Sequence, residues 1–390
     1  MATIIYGVSG EGSGHSSRSR EIVTHLLSRG HKVQVVSYDR GARNLKDDFD
    51  VFEVEGLHID SSNNKVSALG TFTDNFKRLL KGHKRFQALR REVFKRINPD
   101  CVMTDFEPMT AYLANHYDLP LISIDNQHRM RYMAYPMPPG LKKDSIITKN
   151  IIRTLIPKPD VSLITTFYFG KTKNNRSFCF SPILRKEVLS LTPENGQYIL
   201  VYLTSGFESF VEKLCRFQRE RFIVYGYNRS EQDGNITFKK PSREGFLRDL
   251  AGCRAVMATA GFTLMTESLH LRKPFMALPM RGQFEQELNG YLLAKLGYGK
   301  NVRSTTDDLV SSFLYHIDDY AEALAEIEPY DNSAIKNKID ELLADDCRLA
   351  REFHENRKNN TDPAMKKWTL KLSSCYEMTG GKNECSKQKS

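Results

Sequence analysis

Apolar and polar positions in the first half of the chain fall into a repeating pattern. Short β-branched runs stand at residues 4–10 (IIYGVSG), 32–39 (KVQVVSYD), 100–105 (DCVMTD), 120–126 (PLISIDN) and 161–169 (VSLITTFYF). These runs are too continuously apolar to leave one face in water, so they read as strands of a parallel sheet buried on both sides. The intervals between them have helix length, with helices predicted over 18–29 and near 109–116, which makes βαβ units. At residues 181–196 (SPILRKEVLSLTPENG) prolines and turn formers break the pattern. It restarts with QYILVYLTSG, RFIVYGYN, NITFKK, AVMATAG and PFMALPM, a second α/β unit beginning near 196. The organisation read from this is a domain over 1–185, a linker over 186–195, a second domain over 196–331 and helices over 332–378. A polar tail over 379–390 is expected to be disordered. Two parallel-sheet domains on one linker imply a cleft into which strand ends and helix N-termini point.

Composition narrows the class. At 390 residues, 40% hydrophobic and 27% charged, the chain is long enough for two cores and has no apolar run of the roughly 18 residues a membrane span needs. The opening MATIIYGVSG carries no basic segment ahead of its apolar run and reads as a first strand, not a secretory signal. Seven cysteines, odd in number and without a CxxC pair, argue against a disulfide framework or zinc site and for a reducing cytoplasm. The net charge is +10, with basic residues dense over 77–96 beside Phe76, Leu79, Leu80, Phe86, Leu89 and Val93 at helical spacing. That stretch reads first as the solvated basic face of an amphipathic helix. The sharper readings are attraction to an anionic membrane surface, here the inner face, or to an acidic substrate. No recognition motif accompanies the charge, so nucleic acid is not an expected partner.

The most specific stretch is TAGFTLMTESLHLRKPFMALPMRGQFEQELNG, residues 259–290. A strand ends at Ala260-Gly261 and a helix starts at Phe262-Thr263, leaving free N–H groups and a positive dipole end, a ready anion site. Glu267 follows about one turn on, where a carboxylate can accept bonds from paired hydroxyls such as those of a ribose. The spacing from Gly261 through Glu267, Pro274 and Pro279 to Glu285-Gln286-x-x-Asn289 resembles the donor-binding signature of GT-B glycosyltransferases. The superfamily is that of the UDP-glycosyltransferases and MurG-like transferases, and the likeness is to a little-characterised bacterial and archaeal branch. The resemblance implies the GT-B fold, two Rossmann-like domains facing a cleft with the last helices crossing back to the first domain. It implies that Glu267 binds the ribose and that Thr259, Gly261, Phe262 and Thr263 lie at the diphosphate. Glu285 and Gln286 would contact the donor sugar, with Asn289 supporting their loop. Plant members have a histidine where Thr259 stands and many members an aspartate where Glu285 stands, so the resemblance does not define the sugar.

The amino-terminal loop, GEGSGHSSRSREI, is a near-miss for a dinucleotide fingerprint. From Gly10 and Gly12 the third position is His15, and from Gly12 and Gly14 it is Ser17, although Asp39 could serve as the ribose acid of an NAD site. The other reading puts His15 on the first turn of a helix at the carboxyl edge of the sheet, where an imidazole can take a proton. The GxGH pattern resembles the loop whose histidine is the general base in this superfamily. Gly12 and Gly14 then make room for the acceptor, and Asp105, ending DCVMTD, orients His15. The plainer reading of Asp105 is an N-cap ahead of Pro108. Glu107 is a reserve for the base or its orienter, and His128 and Arg129 are acceptor contacts or plain surface. Asp47, Asp48 and Asp50 read as a solvated turn, and neither metal nor cofactor is expected. Residues 130–159, apolar, proline-rich and basic, could touch a lipid-linked acceptor or cover a small-molecule pocket.

Together these readings point to a transferase moving a sugar from a nucleotide-sugar, expected to be a UDP-sugar, to a hydroxyl acceptor with inversion, as in cell-envelope glycan synthesis. The rivals are a UDP-sugar 2-epimerase on the same fold, an NAD-dependent oxidoreductase and a non-catalytic nucleotide-sugar binder.

Overall fold

The computed structural model describes residues 1–56, 61–62, 65–66, 83–203, 206–303 and 306–359. The first sheet is built from β1 (Thr3–Val8), β2 (Lys32–Ser37), β3 (Val51–Glu53), β4 (Cys101–Asp105), β5 (Leu121–Asp125), β6 (Val161–Thr165) and β7 (Ser177–Phe180). Its order is β3-β2-β1-β4-β5-β6-β7, every neighbouring pair parallel. The central strands β4, β5 and β6 are buried along their whole length, as runs without a solvated face require. The second sheet comprises β8 (Ile199–Tyr202), β9 (Phe222–Tyr225), β10 (Glu231–Asp233), β11 (Ile236–Phe238), β12 (Ala255–Thr259), β13 (Phe275–Leu278) and β14 (Gly299–Asn301). Its order is β10-β11-β9-β8-β12-β13-β14, parallel except for the β10–β11 hairpin.

Strand order reverses beside β1 in the first sheet and beside β8 in the second. At such a switch point the connections leave in opposite directions and open a crevice at the carboxyl ends of the strands. In the first sheet the crevice lies between the ends of β1 and β4, Val8 and Asp105. In the second it lies between β8 and β12, which ends at Thr259. The helices that matter for these edges are α1 (Ser13–Ser28), α2 (Pro108–His116), α3 (Lys142–Leu155), α4 (Phe262–His270) and α5 (Phe284–Lys295).

The last segment, α6 (Ser333–Asn359), is two helices joined by a kink at Ala344–Cys347, where Asp345, Asp346 and Cys347 have φ of 51°, 55° and 63°. It crosses back to the first domain, as the resemblance implies. Ile335, Ile339, Leu342 and Ala350 pack in one apolar cluster with Ile22, Val23 and Leu26 of α1. At its far end His354 Nδ1 lies 2.9 Å from Asp160 Oδ2, and Arg357 donates to the same carboxylate. The described part of the basic stretch buries Leu89, Val93 and Phe94 against Ile5 and Val36 while Arg91, Lys95 and Arg96 face solvent. Residues 76–82 of that stretch, 360–378 of the expected helices and the 379–390 tail lie outside the described residues.

Candidate functional site

Each candidate group is placed by the end of a strand. β1 runs through Ser9 into a turn where Gly12 takes φ 75°, a conformation open to glycine, and α1 begins at Ser13. His15 is therefore on the first turn of α1. β4 ends at Asp105, and the next residue, Phe106, is held at φ 59°. A bulky residue in the left-handed region is strained, and such strain collects where geometry is imposed by function. The kink sends neighbouring carboxylates opposite ways. Asp105 turns toward α1, while Glu107 turns back to cap α2, accepting from Met109 N at 2.9 Å, Thr110 N at 2.7 Å and Thr110 Oγ1 at 2.6 Å. The N-cap that the sequence offered as the plain role of Asp105 belongs to Glu107. The Glu107 side chain is fully buried and its oxygens are taken up by that cap. Burial pushes its carboxyl above the usual range, partly offset by the bonds from Thr110 and Met109.

His15 Nδ1 lies 2.7 Å from Asp105 Oδ1, with the imidazole 11% exposed and stacked toward Phe106. Asp105 is more heavily engaged than one histidine would make it. Arg18, one turn along α1, donates Nε to Oδ2 at 2.6 Å and Nη2 to Oδ1 at 2.5 Å, and Ser19 Oγ donates to Oδ2 at 3.1 Å. Burial pushes the Asp105 carboxyl up, but the Arg18 guanidinium and His15 outweigh it and hold it below the usual carboxylate range. Sequence reading missed Arg18 and Ser19. Their spacing of three and four from His15, which puts all three on one helix face, was the available signal.

In the second domain β12 ends at Thr259, Gly261 is the N-cap residue of α4, and no side chain caps it. The first backbone N–H groups of α4 are therefore not taken up by a side-chain cap. Gly14, read as making room for an acceptor, meets this helix instead: a Cβ on Gly14 would lie 2.3 Å from Thr263 Oγ1. The starts of α1 and α4 abut across the domain boundary. Glu267, 2% exposed, is held by Arg185, with Nε to Oε1 and Nη2 to Oε2 both 2.8 Å. Burial raises its carboxyl, and Arg185 offsets part of the rise. Gln286 Oε1 accepts from Met280 N at 3.0 Å, and Asn289 Nδ2 donates to the Ala260 carbonyl at 2.8 Å, tying α5 to the turn before α4.

The loop after β5 carries the largest correction. His128 and Arg129, read as acceptor contacts or plain surface, are 1% and 0% exposed. His128 Nδ1 is 2.7 Å from Asp125 Oδ2. Arg129 crosses to the second domain, donating to Asn289 Oδ1 with its guanidinium 5.3 Å from the Phe262 ring centre. Burial lowers it to about 10. Beside it, Asn126 Nδ2 donates to Glu285 Oε1 at 2.7 Å and Gln127 Nε2 to Oε2 at 3.3 Å. This loop is the seam between the domains. Asp48 pairs with Arg20, and no group of three potential metal ligands occurs among the described residues.

Residues 2–318 match the model of the family described as Glycosyl transferase family 1. Two curated relatives are uncharacterized glycosyltransferases of archaea. That of Methanosarcina mazei is 24% identical over 335 residues, 78% of this chain and 86% of the relative. That of Methanosarcina acetivorans is 23% identical over 369 residues, 87% and 93%. Among solved structures, the MurG of Acinetobacter baumannii aligns with a TM-score of 0.58 at 14% identity, covering 87% of this chain and 100% of that one. UGT89C1 of Arabidopsis thaliana, complexed with UDP, aligns with a TM-score of 0.58 at 15% identity, covering 91% and 99%. The shared architecture is GT-B.

Proposed function

The chain belongs to glycosyl transferase family 1, and from that premise we propose that it moves a sugar from a UDP-sugar to a hydroxyl acceptor by one displacement with inversion. The observation that carries this reading is the 2.7 Å contact of His15 with Asp105 at one switch point, beside the uncapped start of α4 at the other. His15 Nε2 takes the acceptor hydroxyl proton as the oxygen attacks the anomeric carbon. The bond from that carbon to the diphosphate oxygen breaks, and the electron pair leaves with the UDP. Asp105, kept ionised by Arg18, stabilises the imidazolium that forms. The N–H groups of Phe262 and Thr263 and the dipole of α4 take up charge on the departing diphosphate, a task that needs no metal ion. Glu267 accepts from the ribose hydroxyls, sharing its carboxylate with Arg185, and Glu285 and Gln286 contact the donor sugar.

A 2-epimerase would need further free carboxylates in the cleft. Glu107 is spent on a cap and Asp125 on His128, which favours transfer. Ile146 and Ile147 of α3 are 52% and 44% exposed beside Lys142 and Lys143, and this supports an acceptor presented at an anionic lipid surface. No described helix is long and apolar enough to cross a membrane. The deciding experiment is thermal stabilisation by UDP. Stabilisation that disappears in Glu267→Ala supports the reading, and stabilisation by NAD with none by UDP ends it.

A further inference from the structure

Two thiols meet where the returning chain touches the first sheet. Cys101 opens β4 and Cys347 ends the kink of α6, and both are fully buried in the same apolar cluster. Their side chains share a hydrogen bond, and neither is in a disulfide. One arginine holds the two backbones to this arrangement. Arg351 donates Nη2 to Asp100 Oδ1 at 3.2 Å and Nε to the Asp346 carbonyl at 3.0 Å. The residues just ahead of both cysteines are thus tied to a single guanidinium. Asp100 is fixed from its other side by Thr3 N, which donates to Oδ2 at 2.8 Å.

The backbone reaches Cys347 under strain. Aspartate visits the left-handed region as single residues, but Asp345, Asp346 and Cys347 occupy it in succession, ending on a cysteine at φ 63°. Strain of this kind persists only where the surroundings impose it, and it collects at functional and switch positions. Here it sets the Cys347 sulfur against Cys101. The pair is also polarised. The hydrogen bond from Cys101 holds the Cys347 thiol below its ordinary range, assisted by the Arg351 guanidinium and opposed by burial, Asp100 and Asp346. The same bond, with burial and the Cys347 charge, pushes Cys101 well above its ordinary range. Cys347 is therefore the nucleophile of the pair and Cys101 the proton donor.

We propose that Cys101 and Cys347 are a redox modification site, where a small hydroperoxide makes a reversible disulfide that bonds the C-terminal helices to the first sheet. The Cys347 thiolate attacks one oxygen of the hydroperoxide and breaks the O–O bond. This leaves a sulfenic acid on Cys347 and releases water or an alcohol once the departing oxygen takes a proton. The Cys101 sulfur then attacks the sulfenic sulfur. The S–S bond forms, the S–O bond breaks, and the hydroxyl leaves as water with the Cys101 proton. The two thiols lose two electrons and the hydroperoxide gains them. The kink borders a surface cleft lined by Asp345, Asp346, Arg348, Arg351 and Glu352, by which a small neutral oxidant approaches. The loop closed by the bond contains the whole second domain, and long loops constrain the unfolded chain most.

The test is a disulfide map of the folded, full-length protein after exposure to hydrogen peroxide, with the remaining thiols alkylated before digestion. Trypsin releases residues 97–129 and 339–348 as peptides carrying one cysteine each. The expected product is these two peptides joined, two hydrogens lighter than their sum and separated again by dithiothreitol. Cys101→Ser, or Cys101→Ala if the serine variant does not fold, should lose the link and leave Cys347 as a sulfenic acid that dimedone traps. Cys347→Ser should lose both products. The thermal midpoint of oxidised wild type should rise by about 5 °C and fall back on reduction, with no rise in either variant. Absence of the joined peptides while the exposed Cys215 is oxidised overturns the proposal. So does a link from either peptide to another cysteine, a sulfinic acid on Cys347 in place of the link, or a midpoint rise that survives in Cys347→Ser.

Discussion

The two switch points use opposite means to handle charge. At the first, every group is a side chain, and each is already paired with another: His15 and Arg18 with Asp105, Arg18 with Asn126. At the second, the working groups are backbone N–H donors at the bare start of α4, with Glu267 one turn beyond in the grip of Arg185. A side-chain site can be removed one residue at a time and answers to pH. A backbone site persists through most substitutions and fails only when the backbone or its surroundings move. In the proposed function, proton transfer is assigned to the first and the holding of the diphosphate charge to the second.

Asp105→Ala is the harshest way to break this contrast. It leaves a buried guanidinium without its partner, which costs roughly 3–5 kcal/mol of stability, visible in denaturant unfolding together with complete loss of transfer. His15→Ala should lower transfer by about 10²- to 10⁴-fold while UDP affinity by calorimetry stays near wild type. A matching loss of affinity would show that the two sites are not separable. Glu267→Ala works the other way, weakening UDP by about tenfold or more in calorimetry. Gly14→Ala tests the seam between them. Its methyl group meets Thr263 Oγ1, so transfer should fall, and Thr263→Ala in the same chain should restore it.

The smallest effect sharpens the comparison within one turn of chain. Asp105 has a folded pKa below its unfolded value, so its contribution to stability is present above the ordinary carboxylate range and is lost as pH falls through the folded value. Glu107 is raised, so between the ordinary carboxylate range and its folded value its contribution weakens as pH rises. Glu107→Gln should therefore remove an opposing limb from the stability–pH curve at the cost of part of one cap, about 1 kcal/mol. A curve that keeps the opposing limb would show that another group produces it.

Much of this fold is legible in local pattern. Continuous β-branched runs can only be strands buried on both faces, and the Gly261-to-Asn289 spacing marks its strand–turn–helix before any contact is known. His15 stands out because it spoils a fingerprint. The roles of Asp105 and Glu107 were harder to separate. Both are carboxylates just ahead of Pro108, and only the left-handed Phe106 decides which of them faces α2. Arg18, Asn126 and Arg185 carry no local signal of the partners they take, since arginine and asparagine in a polar stretch usually face water. Their partners are 87, 159 and 82 positions away, and those pairings exist only once strand order and domain approach are set. The same holds for Arg129, whose partners Asn289 and Phe262 lie in the second domain, whereas His128 is paired with Asp125 three residues before it.

The return of α6 has a consequence for how the protein is made. The apolar face carried by Ile22, Val23 and Leu26 is synthesised long before Ile335, Ile339, Leu342 and Ala350, which cover it. The first sheet must therefore wait, one side uncovered, through the synthesis of the entire second sheet. A fragment without α6 carries that side bare, so this half of the molecule is completed in space by a segment that follows the second sheet in the chain.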